Sequence, residues 1–312
     1  MSHIRYLLLA TVAAALLLAP AAGAKTHVAV ALGDQSPAMF KQKNFKALHI
    51  KKARYTIRWD AYKTGYAIAQ ADQYVAAARK AHVRVLMHIT TNDYRHKKAK
   101  LPSVKTYKKY VGKIVRHFRA RGVKEWGVWN EANHISEPTW KNPKRAAQYF
   151  HVMRSLCKHC TIVALDVLDD SKVGSYIHRF YRALSRRDRS AAKLIGIHNY
   201  EDTNRHRTSG TRRVIRAGRA QNRHVKFWFT ETGGIVRLGR SFKCSTSRAA
   251  KAISYMFSLA RKYRHDVTRL YAYNWFGTKP NCGAFDAGLV NYKGKARKGY
   301  KVFKSKARSY TR

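Results

Sequence analysis

The sequence predicts a single-domain α/β protein, a (β/α)8 TIM barrel. Three observations predict it: eight short apolar or aromatic runs, helical patterns between them, and polar side chains gathered where the runs end. The runs are 27–32, 53–59, 84–89, 125–129, 161–167, 194–197, 225–229 and 270–274. Their spacing suits one strand plus one crossover helix. Between them, 71–81 is Ala-rich with Tyr74, Val75 and Ala78 on one side. Segment 107–118 sets Tyr110, Val111, Ile114, Val115 and Phe118 at helical spacing, and 146–157 and 249–262 repeat the pattern. The rival, a doubly wound open sheet, lacks support: no G-x-G-x-x-G follows the first run and no phosphate loop occurs.

The first 24 residues read as a signal peptide. Arg5 supplies the positive start, 7–18 a short apolar stretch, and Pro20 precedes the A-x-A pattern Ala22-Gly23-Ala24. The apolar stretch is too short for a membrane span. The domain proper is therefore 25–312, exported and extracellular or wall-associated, with no linker to divide it. Four cysteines in an exported chain suggest two disulfides, and three pairings are possible. Cys157 with Cys160 and Cys244 with Cys282 is the favoured set. Cys157-Lys-His-Cys160 also resembles half a zinc site, but no second pair has matching spacing. No metal and no cofactor is expected.

The formal net charge is +48, spread along the whole chain. It favours polyanions in general, such as acidic wall polymers or acidic glycans, but no motif specifies nucleic acid. Against 64 Lys plus Arg the chain has only five Glu. Two of these, Glu131 in Glu125-Trp-Gly-Val-Trp-Asn-Glu131 and Glu231 in Lys226-Phe-Trp-Phe-Thr-Glu231, close strand-like runs. In a (β/α)8 barrel chemistry sits at such strand ends. The other runs lead into Asp34 and Gln35, Arg58 with Trp59, His88, Asp166 to Asp170, His198 with Tyr200, and Trp275. Two facing carboxylates are the minimum apparatus for cleaving a glycosidic bond. Asp166 to Asp170 reads equally as a helix cap.

At these positions the chain resembles the clan A glycoside hydrolases, most strongly their cellulase-like family 5 and family 39 branches. Asn130-Glu131 resembles the acid/base signature of strand 4, and Glu231 the nucleophile of strand 7. His198 and Tyr200 match a His-x-Tyr on strand 6. Arg54 matches the strand 2 arginine that holds the nucleophile, and Trp275 the strand 8 tryptophan beneath the sugar. Gly288-Leu-Val-Asn before Gly294-Lys resembles the tail feeding the last helix. Arg58 and the extreme basicity depart from the pattern, and Arg58 suggests an acidic sugar.

The resemblance implies a retaining glycosidase that takes a β-linked carbohydrate; the signal peptide adds that it is secreted, and a monomer is expected. A non-catalytic glycan-binding or wall-polyanion-binding barrel is the alternative. Retention implies carboxyl groups roughly 5 to 5.5 Å apart. Glu231 is expected to be the nucleophile, kept ionised by Arg54 and Tyr200. Glu131 is expected to be the acid/base, kept protonated by the neighbouring negative charge. Asn130 is expected to bond the sugar 2-hydroxyl, and Trp275, Trp59 or Trp140 to stack on sugar faces. An acid-shifted pH optimum follows.

Overall fold

A computed structural model describes residues 28–95 and 98–311. The proposed signal peptide, and His27 at the start of the first run, lie outside the described residues. The strands are β1 (Ala29–Gly33), β2 (Lys52–Arg58), β3 (Arg84–Thr90), β4 (Glu125–Gly127), β5 (Thr161–Val163), β6 (Leu165–Leu168), β7 (Leu194–His198), β8 (Lys226–Thr232), β9 (Arg237–Leu238), β10 (Val267–Tyr273) and β11 (Phe285–Asp286). Nine of them form one parallel sheet in the order β5-β4-β3-β2-β1-β10-β8-β7-β6. Its two ends are halves of a single strand position interrupted at Ala164. There Val128 N bonds Val163 O at 3.2 Å and Ala164 N bonds Leu194 O at 2.9 Å, so the sheet closes into the barrel.

The helices are α1 (Lys43–Lys46), α2 (Tyr66–Lys80), α3 (Val104–Arg119), α4 (Pro143–Leu156), α5 (Val173–Arg182), α6 (Arg186–Ala191), α7 (Tyr200–Arg205), α8 (Ser209–Gln221), α9 (Thr246–Lys262) and α10 (Lys298–Thr311). Four of them, α2, α3, α4 and α9, begin about a turn before the periodicity predicts. Apolar spacing reports only the buried face, whereas polar first turns are set by caps. Ser103 Oγ accepts from Thr106 N at 3.1 Å, Ser245 Oγ from Arg248 N at 3.2 Å, and Pro143 opens α4.

Strands covered on both faces read as continuous apolar runs. One set of buried residues packs between barrel and helices. A second, smaller set, Ala31, Leu86, Val163, Trp228 and Tyr271, fills the barrel interior. Above that layer the interior turns polar. The ribbon of β9 and β11 crosses beside the rim, where Phe285 packs edge-on against Tyr200 and stacks on Tyr273. Disulfides join Cys157 to Cys160 and Cys244 to Cys282. No described helix is long and apolar enough to cross a membrane.

Candidate active site

On β2, Ala53, Tyr55 and Ile57 are buried among the core residues packed with the helices. The alternate residue Arg54 enters the barrel and is 2% exposed. Its guanidinium reaches Glu231 Oε2 through Nη1 at 2.6 Å, Asn130 Oδ1 through Nη2, and His88 Nδ1 through Nε at 3.2 Å. Burial disfavours its charge, but Glu231 and Asp166 outweigh that and hold it firmly protonated. Tyr200, at the start of α7, donates its hydroxyl to Glu231 Oε1 at 3.0 Å. Both oxygens of Glu231 are thereby fixed.

Asp166 lies beneath, fully buried, with His198 Nε2 at 3.0 Å, His88 Nε2 at 3.4 Å and Arg54 Nη2 at 3.6 Å. Thr230 Oγ1 donates to its other oxygen. Burial alone would raise its pKa; the charged His198 and Arg54 overcome that and hold it well below the usual carboxylate range. Two glycines make room for this layer. A Cβ on Gly196 would stand 1.8 Å from Asp166 Oδ1, and one on Gly127 would stand 1.9 Å from His88 Cδ2. His88 is itself neutral, since burial pushes it down to about 3 despite Asp166.

Glu131 follows β4 in a left-handed backbone conformation, φ 43°, which a glutamate seldom adopts. Flanking bonds hold it: Ala132 N to Asp166 O and His134 N to Glu131 O, both 2.8 Å. His198 Nδ1 donates to Glu131 Oε1 at 2.8 Å and lies 3.9 Å from Glu231 Oε2. Burial disfavours a charged His198, yet Asp166, Glu231 and Glu131 raise its pKa to about 10. The imidazolium is therefore the stable form at neutral pH. Burial would raise the Glu131 pKa, but its bond to His198 wins and lowers it. This corrects the expectation that neighbouring negative charge keeps Glu131 protonated, because a cation is inserted between the two glutamates.

Ligand atoms of Glu131, His198 and Glu231 all lie within 4.8 Å of one another. Such a trio also has the donor types of a metal site. His198 Nδ1, however, is taken up by Glu131 Oε1 at 2.8 Å, and its Nε2 faces Asp166 Oδ2 at 3.0 Å. The set suits proton and group transfer between two carboxylates better.

Arg54, Asn130, Glu131, His198, Tyr200 and Glu231 are thus brought together, and Trp275 is not. Trp275 is fully buried, edge-on to Phe45 and Tyr300. Strand β10 ends at Tyr273, and Asp34 then accepts from the Trp275 and Phe276 amides at 3.0 and 2.9 Å, turning the chain so that the indole enters the core. Trp59 is likewise core, against Tyr110. Trp140 stays half-buried under Lys141. Arg58 is neutralised by a two-point contact with Asp60. Gln35 bonds Thr56, so it and Asp34 join strand ends together.

Asp166, which the sequence placed at a strand end but read equally as a helix cap, joins the site, and so do two residues that the sequence reading passed over. Glu137 is buried completely behind Asn130, accepts from Trp129 Nε1 at 2.8 Å and Thr90 Oγ1 at 3.3 Å, and is raised to about 8 by burial. Tyr273 supplies the rim aromatic near Glu231 that Trp275 does not, its ring 3.0 Å from where a Cβ on Gly33 would be. The interior glycines Gly127 and Gly196, inside otherwise bulky runs, were the available signal for Asp166 and His88.

No protein-family model and no curated protein matches the sequence. Solved structures do match the fold. One is a family 39 glycoside hydrolase from the gut symbiont Bacteroides cellulosilyticus WH2, at TM-score 0.62 and 13% identity over 91% of this chain and 64% of that one. Another is xylanase XynB from Paenibacillus barcinonensis, at TM-score 0.66 and 13% identity over 89% of this chain and 95% of that one. A third is a GH113 beta-1,4-mannanase, at TM-score 0.60 and 12% identity over 91% of this chain and 99% of that one. This chain spans 64% of the length of the family 39 enzyme. At these identities the likeness establishes that the chain has the barrel fold of these glycoside hydrolases.

Proposed function

We propose that the chain is a secreted, retaining glycoside hydrolase acting on a β-linked poly- or oligosaccharide. The observation that carries the reading is the pair Glu131 and Glu231, with oxygens within 4.8 Å, at the C-terminal rim of a barrel shared with xylanases and a mannanase. That spacing suits direct attack and leaves no room for a water between carboxylate and sugar. Arg54 and Tyr200 fix Glu231 as an anion aimed at the anomeric carbon.

Glu231 attacks that carbon, the glycosidic bond breaks, and Glu131 gives its proton to the departing oxygen. Water then attacks the glycosyl ester; Glu131 takes the proton and Glu231 leaves as carboxylate. The depressed pKa of Glu131 places its protonated form at acid pH, so the optimum lies below neutral. Asn130 is held from both sides, its oxygen by Arg54 and its amide by Glu137, which fixes how it faces a sugar hydroxyl.

The test is release of reducing ends from xylan, mannan and β-glucan by the wild type and by Glu231→Gln. Turnover is expected in the wild type and a loss of about 10⁴-fold or more in the variant. A wild type with no turnover, binding glycan as tightly as the variant does, defeats this reading. It would leave the non-catalytic binder, which the ion pair occupying Glu131 favours.

A further inference from the structure

A cavity of about 630 Å³ opens beside the loop that follows Glu131. Its near wall is that loop: Asn133 and His134 line it, and His134 Nδ1 is 3.8 Å from Glu131 Oε2. Farther out stand Trp140, with Lys141 Nζ 4.4 Å above its ring, and the exposed Lys172 and Arg179 at the start and end of α5. Lys141, Lys172 and Arg179 have no ion-pair partner among the described residues. The one acid in the wall, Asp170, is already engaged by Asn133 Nδ2 and the Lys172 amide, both at 2.7 Å. The cavity wall thus holds an aromatic ring, three cations without an ion pair and one carboxylate, and is net positive. Arg58, the basic residue that the sequence offered for this purpose, is neutralised by Asp60.

Glu131 protonates the departing oxygen, so the space on its side receives the leaving half of the substrate. We propose that this cavity binds an anionic leaving-group unit, a sugar bearing carboxylate or sulfate, on Trp140 and between Lys141, Lys172 and Arg179, and so selects acidic β-glycans. The proposal rests on the glycosidase reading for its direction along the chain. Binding is separable from turnover, so the two can fail independently. A planar or forked anion suits Arg179, and an aromatic face suits the apolar side of a sugar ring.

The experiment compares matched neutral and acidic pools, cello-oligosaccharides against their carboxymethyl derivatives and xylo-oligosaccharides with and without glucuronate branches. The acidic-to-neutral ratio of kcat/KM in the wild type is expected to be about tenfold or more at low salt, and to shrink as salt rises. Lys141→Gln/Lys172→Gln/Arg179→Gln should reduce that ratio to near one. Lys251→Gln/Lys301→Gln/Lys306→Gln, which removes as much charge from the groove between α9 and α10, should leave the ratio intact. Equal ratios in wild type and cavity variant, or equal losses in both variants, overturn the proposal. If the wild type turns over nothing, the glycosidase reading falls. Calorimetric binding of the same pools to Glu231→Gln, with and without the cavity substitutions, then decides the site. Preference for the acidic pool that the substitutions abolish upholds it, and no preference overturns it.

Discussion

The rim and the floor of the barrel each bury an arginine against carboxylates, and they do opposite things with it. At the floor Arg269 donates to Glu125 at 2.5 Å and to the Tyr271 hydroxyl at 2.9 Å, with its guanidinium 3.7 Å from the Trp228 ring centre. Lys52 stands close by, its pKa lowered by burial and by the neighbouring cations Arg269 and Arg84. Every group there is matched to structure, and cations outnumber the single acid. At the rim Arg54 and Asp166 are sealed, while the glutamates they position keep 19% (Glu131) and 14% (Glu231) of their side chains exposed. A buried ion pair therefore does not mark a site by itself. An ion pair whose carboxylate faces outward at the strand ends does.

The sharpest way to break this comparison is to neutralise one acid at each end. Glu231→Gln should lower kcat by about 10⁴-fold or more, with folding intact by circular dichroism. Glu125→Gln should leave kcat within about threefold, since the floor touches no substrate. A comparable loss of kcat in both would erase the distinction.

Stability comes next. Arg54→Met strands Glu231, Asp166 and Asn130 together, and should cost about 3–5 kcal/mol in urea unfolding. Arg269→Met strands a single acid, Glu125, and should cost less than Arg54→Met.

A pH series separates the ends further. The pKa of His198 rises from 6.5 unfolded to about 10 folded. Its stabilisation is therefore complete below pH 6.5 and is lost as pH climbs toward 10. The difference in Tm between wild type and His198→Asn should shrink over that window, while Arg269→Met shows no such trend. Removing the imidazolium also raises the pKa of Glu131, so the alkaline limb of kcat/KM should move to higher pH in His198→Asn. The smallest effect belongs to the floor pair replaced whole: Arg269→Met with Glu125→Leu should change stability by no more than about 1–2 kcal/mol of either sign.

Much of this was legible in the residues. The eight strands declare themselves because both faces of a parallel barrel are buried, and the strand ends then pointed to Arg54, Glu131, His198, Tyr200 and Glu231. Trp275 misled because alternation holds only while the strand lasts, and β10 stops at Tyr273. Asp166 was hidden because a lone aspartate near a strand end looks like a cap. Its three cationic or histidine neighbours come from β2, β3 and β7, segments far apart in sequence. The protonation of Glu131 was misjudged for the same reason, since the inserted imidazolium is a property of the assembled rim.

The arginine and imidazolium of the rim face three carboxylates, Asp166, Glu131 and Glu231, in a chain whose overall charge is +48. With Glu131 carrying the proton that the proposed mechanism needs, the two cations balance Asp166 and Glu231, so on that reading the reacting carbon sits in a near-neutral pocket sunk in a positive exterior. A transition state that gathers positive charge on the sugar ring is favoured there by the Glu231 anion, where water is scarce and the charges are short-range. An anionic chain approaching from outside is drawn by the opposite sign over distances that salt can screen. Capture and chemistry are thereby tuned by different charges, and ionic strength is a handle on the first that leaves the second nearly untouched.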